Sequence, residues 1–359
     1  MGAAHDAAHF QFRPRQAPVK QSKPTIKDVA RKAGVALGTV SRIVNGNKTV
    51  DEELRRHVLQ VIKEIGYTPN QLARSMRSNR SLAIGCVVTD LNQPIAAAMI
   101  SGAEQIARNA GYALVVADFN NDRKVERTIL RFMEERKVDG VLASTSSDED
   151  PELTGALAKL PFPIVLWERN IAGTSFPAVL TAHRAGTRAA AEYLVGLGHD
   201  EIVLVAAHPA TWTAREQIGG VEDAIAASGR PVRFDYLHTD TFNADLLAAD
   251  IADKGKSVAV IANIHDIPSI VQAARARNRD MPDDFSLVSI GDSQVLEVIT
   301  PPVTAIRGEP RRIGSEAARI LIDIIENKQD NAPVQHRTMI PTLVIRGSCG
   351  APRRGSNAD

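Results

Sequence analysis

The sequence predicts an α/β protein in which an all-α, helix-turn-helix headpiece precedes a two-lobed, doubly wound α/β core. Three short amphipathic helical patterns lie between residues 25 and 66, and a glycine separates the first two. From residue 82 onwards, short segments rich in Val, Ile and Leu alternate with helical patterns, which is typical of parallel sheets covered on both faces. The 359 residues are also too many for one domain of ordinary size.

The first helix of the headpiece follows an N-terminal tail. Residues 1–23 contain Gln, Pro and Ala without apolar periodicity, so we expect a flexible tail. Thr25 and Asp28 then form a capping-box pattern, and Gly34 ends the helical pattern. We place the helix-turn-helix domain at residues 24–69.

Two further helices complete this domain. The second is predicted from Leu37 to Asn45, and the third follows the capping pattern Thr49-x-x-Glu52 and ends at Gly66. The outward positions of the second helix are Leu37, Gly38, Thr39, Ser41 and Arg42. Three such helices with a glycine turn form a compact helix-turn-helix unit.

A hinge helix and linker are predicted over residues 70–81. Asn70 can cap a fourth helix over residues 71–77, and a polar segment follows it. Two turns of isolated helix are marginal in water. We therefore expect DNA or a second copy of the chain to stabilise this helix.

The core is predicted over residues 82–347, and a flexible tail over residues 348–359. The strand candidates are Ala83–Asp90, Tyr112–Phe119, Gly140–Ser144, Pro163–Glu168, Val179–His183, Ile202–Ala206, Val258–Asn263 and Leu287–Gly291. So long a core needs two sheets, and two lobes create a cleft. Ligands of such folds bind beyond the carboxyl ends of the strands.

The charge is distributed unevenly along the chain. Residues 25–80 hold 11 basic and 5 acidic side chains, whereas the segment from residue 81 onwards holds 28 basic and 36 acidic ones. A basic front end on an acidic body is typical of a nucleic-acid-binding module attached to a domain that does not bind nucleic acid. Charge alone leaves a solvated charged surface as an equal alternative.

Several classes of protein are disfavoured. The sequence has neither an apolar run long enough to cross a membrane nor a secretory signal, so we expect a cytoplasmic protein. Cys86 and Cys349 lack the spacing of a disulfide framework or a zinc site. No phosphate loop, nucleophile elbow or metal-ligand motif occurs, so we expect neither an enzyme nor a cofactor nor a metal.

The chain from residue 24 to about 347 resembles the lactose/galactose repressor (LacI/GalR) family. The motifs are Thr25-Ile-Lys-Asp-Val-Ala-Arg-Lys-Ala-Gly-Val, Thr39-Val-Ser-Arg, Tyr67-Thr-Pro-Asn-Gln-Leu-Ala-Arg-Ser-Met, Asn92-Gln-Pro, Val138-Asp-Gly, Leu197-Gly-His, Thr213-Ala-Arg-Glu and Thr300-Pro-Pro-Val-Thr. The resemblance implies a core like type I periplasmic binding proteins, a homodimer, a near-palindromic operator and allosteric control by a small-molecule effector.

The resemblance also implies which residues read DNA. Arg42 is the best candidate for a base contact, because a guanidinium donates two hydrogen bonds to guanine; a phosphate contact is the alternative. Leu37 and Gly38 depart from the polar or aromatic residues that are frequent in the family at these positions. The remaining candidates in the domain are Thr25, Thr39, Ser41, Asn45 and Thr49.

The hinge helices of two subunits pair in the minor groove in this family. Met76 matches the position of the residue that wedges between base pairs, Ala73 would allow close approach of the two helices, and Asn70 caps the helix. A linker role for Met76 is the alternative.

The effector site is inferred in the same way. The candidates are Asn92, Ile95, Glu168, His183, Arg215, Asn263 and Asp292, with Arg215 as the strongest, and Glu168 stands where the family has Asp. Gly291, Ile264 and the pair Ala182-His183 replace residues that bind sugars in the family. These departures make an anionic effector, such as a sugar acid or sugar phosphate, plausible beside a sugar.

Alternatives remain open at this point. His183 and His265 are equally compatible with ordinary packing. A regulator that has lost its small-molecule response would explain the departures. A sugar receptor of the binding-protein type would share the core, but it would need a signal peptide and would not carry the basic headpiece.

Overall fold

The computed structural model describes residues 24–44, 50–67, 80–239, 241–253, 258–326 and 336–352. The chain divides into two compact units, residues 1–79 and residues 80–359.

The first unit is the expected helical headpiece. Its helices are α1 (Ile26–Ala33), α2 (Leu37–Val44) and α3 (Glu52–Ile65). One buried residue from each helix, Val29, Val40 and Val58, meets the others in the core. The carboxylate of Asp28 accepts hydrogen bonds from the backbone N–H of Thr25 at 2.9 Å and from its hydroxyl at 2.7 Å, as the capping pattern predicts.

The start of α3 corrects the sequence prediction. Asp51 is the N-cap, because its carboxylate accepts the N–H groups of Glu53 and Leu54, both at 3.0 Å. Glu52 is the first helical residue rather than the third, so the Thr49-x-x-Glu52 pattern is not the cap.

The second unit contains two sheets. Within the described residues, the first sheet has the order β11-β5-β4-β3-β1-β2, with every pairing parallel. Its strands are β1 (Ala83–Val88), β2 (Ala113–Asp118), β3 (Gly140–Ala143), β4 (Ile164–Trp167), β5 (Ala178–Thr181) and β11 (His336–Met339).

The second sheet repeats this order as β12-β10-β9-β8-β6-β7. Its strands are β6 (Glu201–Ala206), β7 (Arg233–His238), β8 (Val258–Asn263), β9 (Phe285–Ile290), β10 (Thr304–Arg307) and β12 (Thr342–Val344). β12 is antiparallel to β10, which corrects the expectation of parallel strands alone.

Helices cover both sheets. They are α4 (Pro94–Asn109), α5 (Arg123–Glu135), α6 (Pro151–Ala158), α7 (His183–Leu197), α8 (Trp212–Ser228), α9 (Ala244–Asp253), α10 (Ile267–Arg275), α11 (Gln294–Val298) and α12 (Pro310–Ile325). α4 and α12 pack on the first sheet, whereas α7 and α8 pack on the second. The chain crosses between these lobes after β5, after β10 and after β11.

Glycines let helices touch backbone to backbone. A Cβ atom at Gly314 of α12 would overlap the carbonyl group of Met99 in α4, and one at Gly102 would overlap the carbonyl of Arg311. These two reciprocal contacts hold α4 and α12 against each other. Any side chain larger than hydrogen would push the two helices apart.

All eight strand candidates are strands, with ends that differ by a few residues. The sequence missed β7, β10, β11 and β12. β7 and β11 lie at sheet edges and carry exposed polar side chains, so neither forms a continuous apolar run.

Two domain boundaries also need correction. Ser81, expected in the linker, is held by Asp139, which accepts its N–H at 2.8 Å and its hydroxyl hydrogen bond at 3.1 Å. Ser348, expected in a flexible tail, is fully buried, and its hydroxyl accepts the N–H of Thr304 at 2.8 Å. The ordered core therefore begins before residue 82 and continues past residue 347.

Candidate functional site

Helix α2 presents the residues expected to read DNA. Leu37 is 45% exposed, Gly38 and Arg42 are exposed, and Thr39 and Ser41 are half-buried. Nε of Arg42 donates to the carbonyl oxygen of Gly38 at 3.3 Å, and no other described residue bonds the two terminal nitrogens of the guanidinium. Burial of Val40 and Ile43 on the opposite side holds this face outward.

Other DNA-site candidates are placed differently. Thr25 is exposed, and its hydroxyl donates to the carboxylate of Asp28, so its side chain takes part in the N-terminal cap of α1. Asn45, Thr49, Asn70, Ala73 and Met76 lie outside the described residues.

A cavity of about 310 Å³ lies between the two lobes of the second unit. Its walls come from the segments that follow the carboxyl ends of strands in both sheets, as expected for this architecture. The volume is that of a pocket for a small organic molecule. Five of the predicted effector residues line the cavity: Ile95, Glu168, His183, Asn263 and Asp292.

Asn92 and Arg215, the other two predicted effector residues, do not line the cavity. Nη1 of Arg215 donates to the carbonyl oxygen of Pro209 at 3.2 Å and pairs with Glu149 at 2.9 Å. The side chain of Asn92 donates to Asp90 at 3.0 Å in an exposed loop. Both side chains contact nearby surface oxygens, and their assignment to the effector site stays a prediction.

Arg169 supplies the guanidinium that was expected from Arg215. It lines the cavity, its Nε donates to the carbonyl oxygen of Thr145 at 2.8 Å, and its Nη1 donates to the carbonyl oxygen of Glu168 at 2.8 Å. Among the described residues, no hydrogen-bond partner occupies Nη2. Arg169 directly follows Glu168, beyond β4, and this position was the sequence signal that could have identified it as a cavity residue.

Glu168 and His183 form a hydrogen-bonded pair in the cavity wall. The other oxygen of Glu168 accepts the hydroxyl of Thr181 at 2.8 Å. Burial acts to raise the pKa of Glu168, but the charge and hydrogen bond of His183, with the Thr181 bonds, outweigh burial and hold that pKa below its usual value. Glu168 therefore faces the cavity as a carboxylate, on backbone with a φ of +54°.

Gln217 of α8 is a cavity residue that the sequence did not reveal. Its side chain is 2% exposed, and Oε1 is buried without a hydrogen-bond partner within the described part of the chain. It lies one helical turn after Thr213, whose hydroxyl donates to the carbonyl oxygen of Glu168 at 2.8 Å. A buried amide oxygen without a partner is costly unless a bound molecule supplies one.

The opposite part of the wall is apolar. Gly291 has a φ of +95°, and a Cβ atom there would lie 3.3 Å from Cδ1 of Ile95 and 3.5 Å from Cβ of Ile264. Met99 and Ile290 extend this surface. Gly291 and Ile264, two positions where the sequence departs from the family that it resembles, thus line one apolar patch.

Asp292 lines the cavity but is already paired. Its carboxylate accepts Nη1 and Nη2 of Arg346 at 3.0 and 2.9 Å and Nε of Arg307 at 2.7 Å. Burial acts to raise the pKa of Asp292, but these two guanidinium groups outweigh burial and lower it. Asp292 therefore ties β10 and the segment after β12 together rather than offering free acceptors.

We expect Asp292→Asn to lower the free energy of unfolding by roughly 2 kcal/mol at pH 7, because two cations lose their counter-charge. A lowered pKa means that the stabilisation exists above the ordinary value of 3.8 and disappears as the pH falls through the native value. Urea denaturation should therefore show a gap between wild type and variant that closes below about pH 4. A gap of constant size from pH 7 to pH 3 would contradict this role.

The described residues lack two kinds of feature. No group of three or more His, Cys, Asp or Glu side chains is placed to hold a metal ion. None of the helices in these ranges combines the length and apolar character that a membrane crossing needs.

Comparison with known proteins matches both units. Residues 25–70 match the family model "Bacterial regulatory proteins, lacI family", and residues 191–349 match a periplasmic binding protein-like domain. The repressor PurR of Photobacterium profundum is 30% identical over 331 residues, which cover 90% of this chain and 98% of that protein.

Solved structures agree with this match. The transcriptional regulator CelR in complex with cellobiose is 27% identical, with a TM-score of 0.66, and the match covers 90% of this chain and 99% of that one. The Lac repressor dimer bound to operator and the anti-inducer ONPF shares the fold, with a TM-score of 0.79 at 22% identity, over 92% of this chain and 100% of that one.

Proposed function

This chain belongs to the LacI family of bacterial regulatory proteins and is a DNA-binding transcriptional regulator, and we propose that it is a repressor controlled by a small molecule in the core cavity. The proposal rests on two separate features: the first unit has an exposed α2 face, and the second has a cavity with a buried amide oxygen that lacks a partner among the described residues. It acts by binding rather than catalysis, in the bacterial cytoplasm where its DNA lies.

DNA reading is assigned to α2. We propose that two copies of the chain place their α2 helices in successive major grooves of a near-palindromic operator. Arg42 then contacts a guanine, Leu37 contacts a thymine methyl group, and Thr39 and Ser41 position the helix. This assignment is supported by the outward orientation of the side chains of Leu37 and Arg42.

The two lobes of the core are proposed to couple ligand binding to DNA affinity. Thr213 of the second lobe donates to the carbonyl oxygen of Glu168 in the first, and the carboxylate of Asp148 in the first lobe accepts the N–H of Trp212 in the second. A molecule that touches both walls would favour one orientation of the lobes over others. The homodimer would transmit that preference to its two headpieces.

The effector is proposed to be a small hydroxylated compound of the sugar class. CelR, one of the solved structures that this chain resembles, binds cellobiose. The alternative, a regulator without a small-molecule response, is disfavoured by the buried Oε1 of Gln217, since a wall with no ligand gains nothing from an unpaired amide.

The test is selection of DNA from a random pool by the full chain. We expect enrichment of one near-palindromic sequence, bound more tightly than scrambled DNA by a factor of about 1,000 or more. Recovery of DNA with no common sequence would contradict operator recognition.

A further inference from the structure

We propose that the effector is amphipathic: its hydroxyl groups bind Gln217 and Arg169, and an apolar substituent packs against Ile95 and Ile264. This proposal rests on the ligand control proposed above and names the chemical class that the cavity selects. The class is a deoxy sugar or an alkyl glycoside.

The hydroxyl end of the effector is inferred from two side-chain groups that have no hydrogen-bond partner among the described residues. Oε1 of Gln217 needs a donor, whereas Nη2 of Arg169 needs an acceptor. A hydroxyl group is both donor and acceptor. A carboxylate or phosphate could satisfy Arg169 but has no hydrogen to offer Oε1 of Gln217.

Charge around this end also disfavours an anion. The carboxylate of Glu168 faces the cavity. Glu126 and Asp148 are buried within electrostatic range of Arg169, at 2% and 5% exposure. The positive charge of Arg169 thus already has acidic neighbours, so an anionic ligand is not needed to neutralise it. The sugar acid and sugar phosphate suggested by the sequence are therefore less suitable than a neutral compound.

The apolar end follows from the wall around Gly291. Ile95 and Ile264 lie against this glycine, within van der Waals reach of the position that a Cβ atom would occupy, and Met99 and Ile290 extend the same surface. Asp292, the carboxylate next to Gly291, is occupied by Arg346 and Arg307. A ligand hydroxyl placed against Ile95 and Ile264 would lose its water without gaining a partner from these two side chains, whereas a methyl group would gain contact.

Matched compounds test the apolar end. Hexoses, their 6-deoxy counterparts and alkyl glycosides, including the pairs D-galactose with D-fucose and L-mannose with L-rhamnose, should be titrated into the full-length protein by calorimetry and thermal shift. We expect at least one 6-deoxy or alkyl compound to bind about tenfold more tightly than its hydroxylated partner. In Ile264→Asn, that preference should disappear or reverse; Ile95→Asn, at a half-buried position, is the second variant if the first fails to fold.

Replacement of Gln217 tests the hydroxyl end. Gln217→Leu keeps the volume and removes a buried amide that lacks a partner, so the melting temperature without ligand should stay equal or rise. Binding of the preferred compound should weaken about tenfold. A purely structural Gln217 would give the opposite pattern, with a lower melting temperature and unchanged affinity.

The outcomes separate this inference from the proposed function. If hydroxylated sugars, sugar acids or sugar phosphates bind more tightly than every deoxy or alkyl compound, the amphipathic class is wrong while ligand control stands. If no compound in the panel binds, the amphipathic class is wrong as well. In either case, operator binding measured on the same sample decides the DNA-binding role independently.

Discussion

Arg42→Ala should weaken operator binding about 10- to 100-fold for each half-site, because a guanidinium that donates to two guanine acceptors contributes roughly 1 to 3 kcal/mol. Arg42 is exposed on α2, and its only hydrogen bond within the described residues is the Nε contact to the carbonyl of Gly38. Its removal therefore leaves the headpiece core of Val40 and Ile43 intact. Fluorescence anisotropy with the selected operator measures the loss, and circular dichroism checks the fold.

Arg42→Lys is the matched control for the mode of contact. A lysine keeps the charge but cannot donate the paired hydrogen bonds that guanine receives from arginine. If Arg42 reads a base, Arg42→Lys should lose most of the discrimination between operator and scrambled DNA. If Arg42 only holds a phosphate, Arg42→Lys should bind almost as wild type does, and the assignment to base reading would be wrong.

Gly314→Ala should destabilise the core by about 3 kcal/mol or more, the largest stability effect that we expect from one added methyl group. The new Cβ atom would lie 2.7 Å from the carbonyl carbon of Met99, and backbone atoms cannot rotate away as side chains do. α4 and α12 would have to separate, which opens the core around Ile313 and Ala317. Urea denaturation of the full chain measures the change.

Gly155→Ala is the control for Gly314→Ala. Gly155 lies inside α6, and an added Cβ atom there meets no heavy atom within 4 Å. Alanine favours a helix over glycine, so this variant should be unchanged or more stable by up to about 1 kcal/mol. Equal losses in both variants would show that helix packing at Gly314 is not the cause.

Periodicity and turn residues predicted most of the fold. The capping pair Thr25 and Asp28 and the continuously apolar strands have local signals, so the sequence sufficed for them. Edge strands β7 and β11 have mixed polarity, and their identity depends on a neighbouring strand distant in sequence. The sequence around Ser348 resembles a polar tail, and only the hydrogen bonds of Ser348 to β9 and β10 show that it belongs to the core.

The candidate pocket was predicted less completely. Glu168 and His183 follow strand ends, and topology brings such positions together. Arg215 lies outside the cavity wall because the direction of a long side chain depends on partners such as Glu149, which the sequence does not indicate. Gln217 was missed because only the assembled cavity reveals that its amide lacks a partner.

Ligand control requires that binding in the cavity changes the affinity for the operator, and one titration measures this coupling. Operator affinity of the full chain is measured with and without the compound that gives the largest thermal shift, for wild type and for Gln217→Leu. We expect the compound to change the operator dissociation constant of wild type several-fold. Without compound, Gln217→Leu should have the same dissociation constant as wild type, and the same concentration of compound should change that constant little. An identical dissociation constant for wild type with and without saturating compound would contradict ligand control.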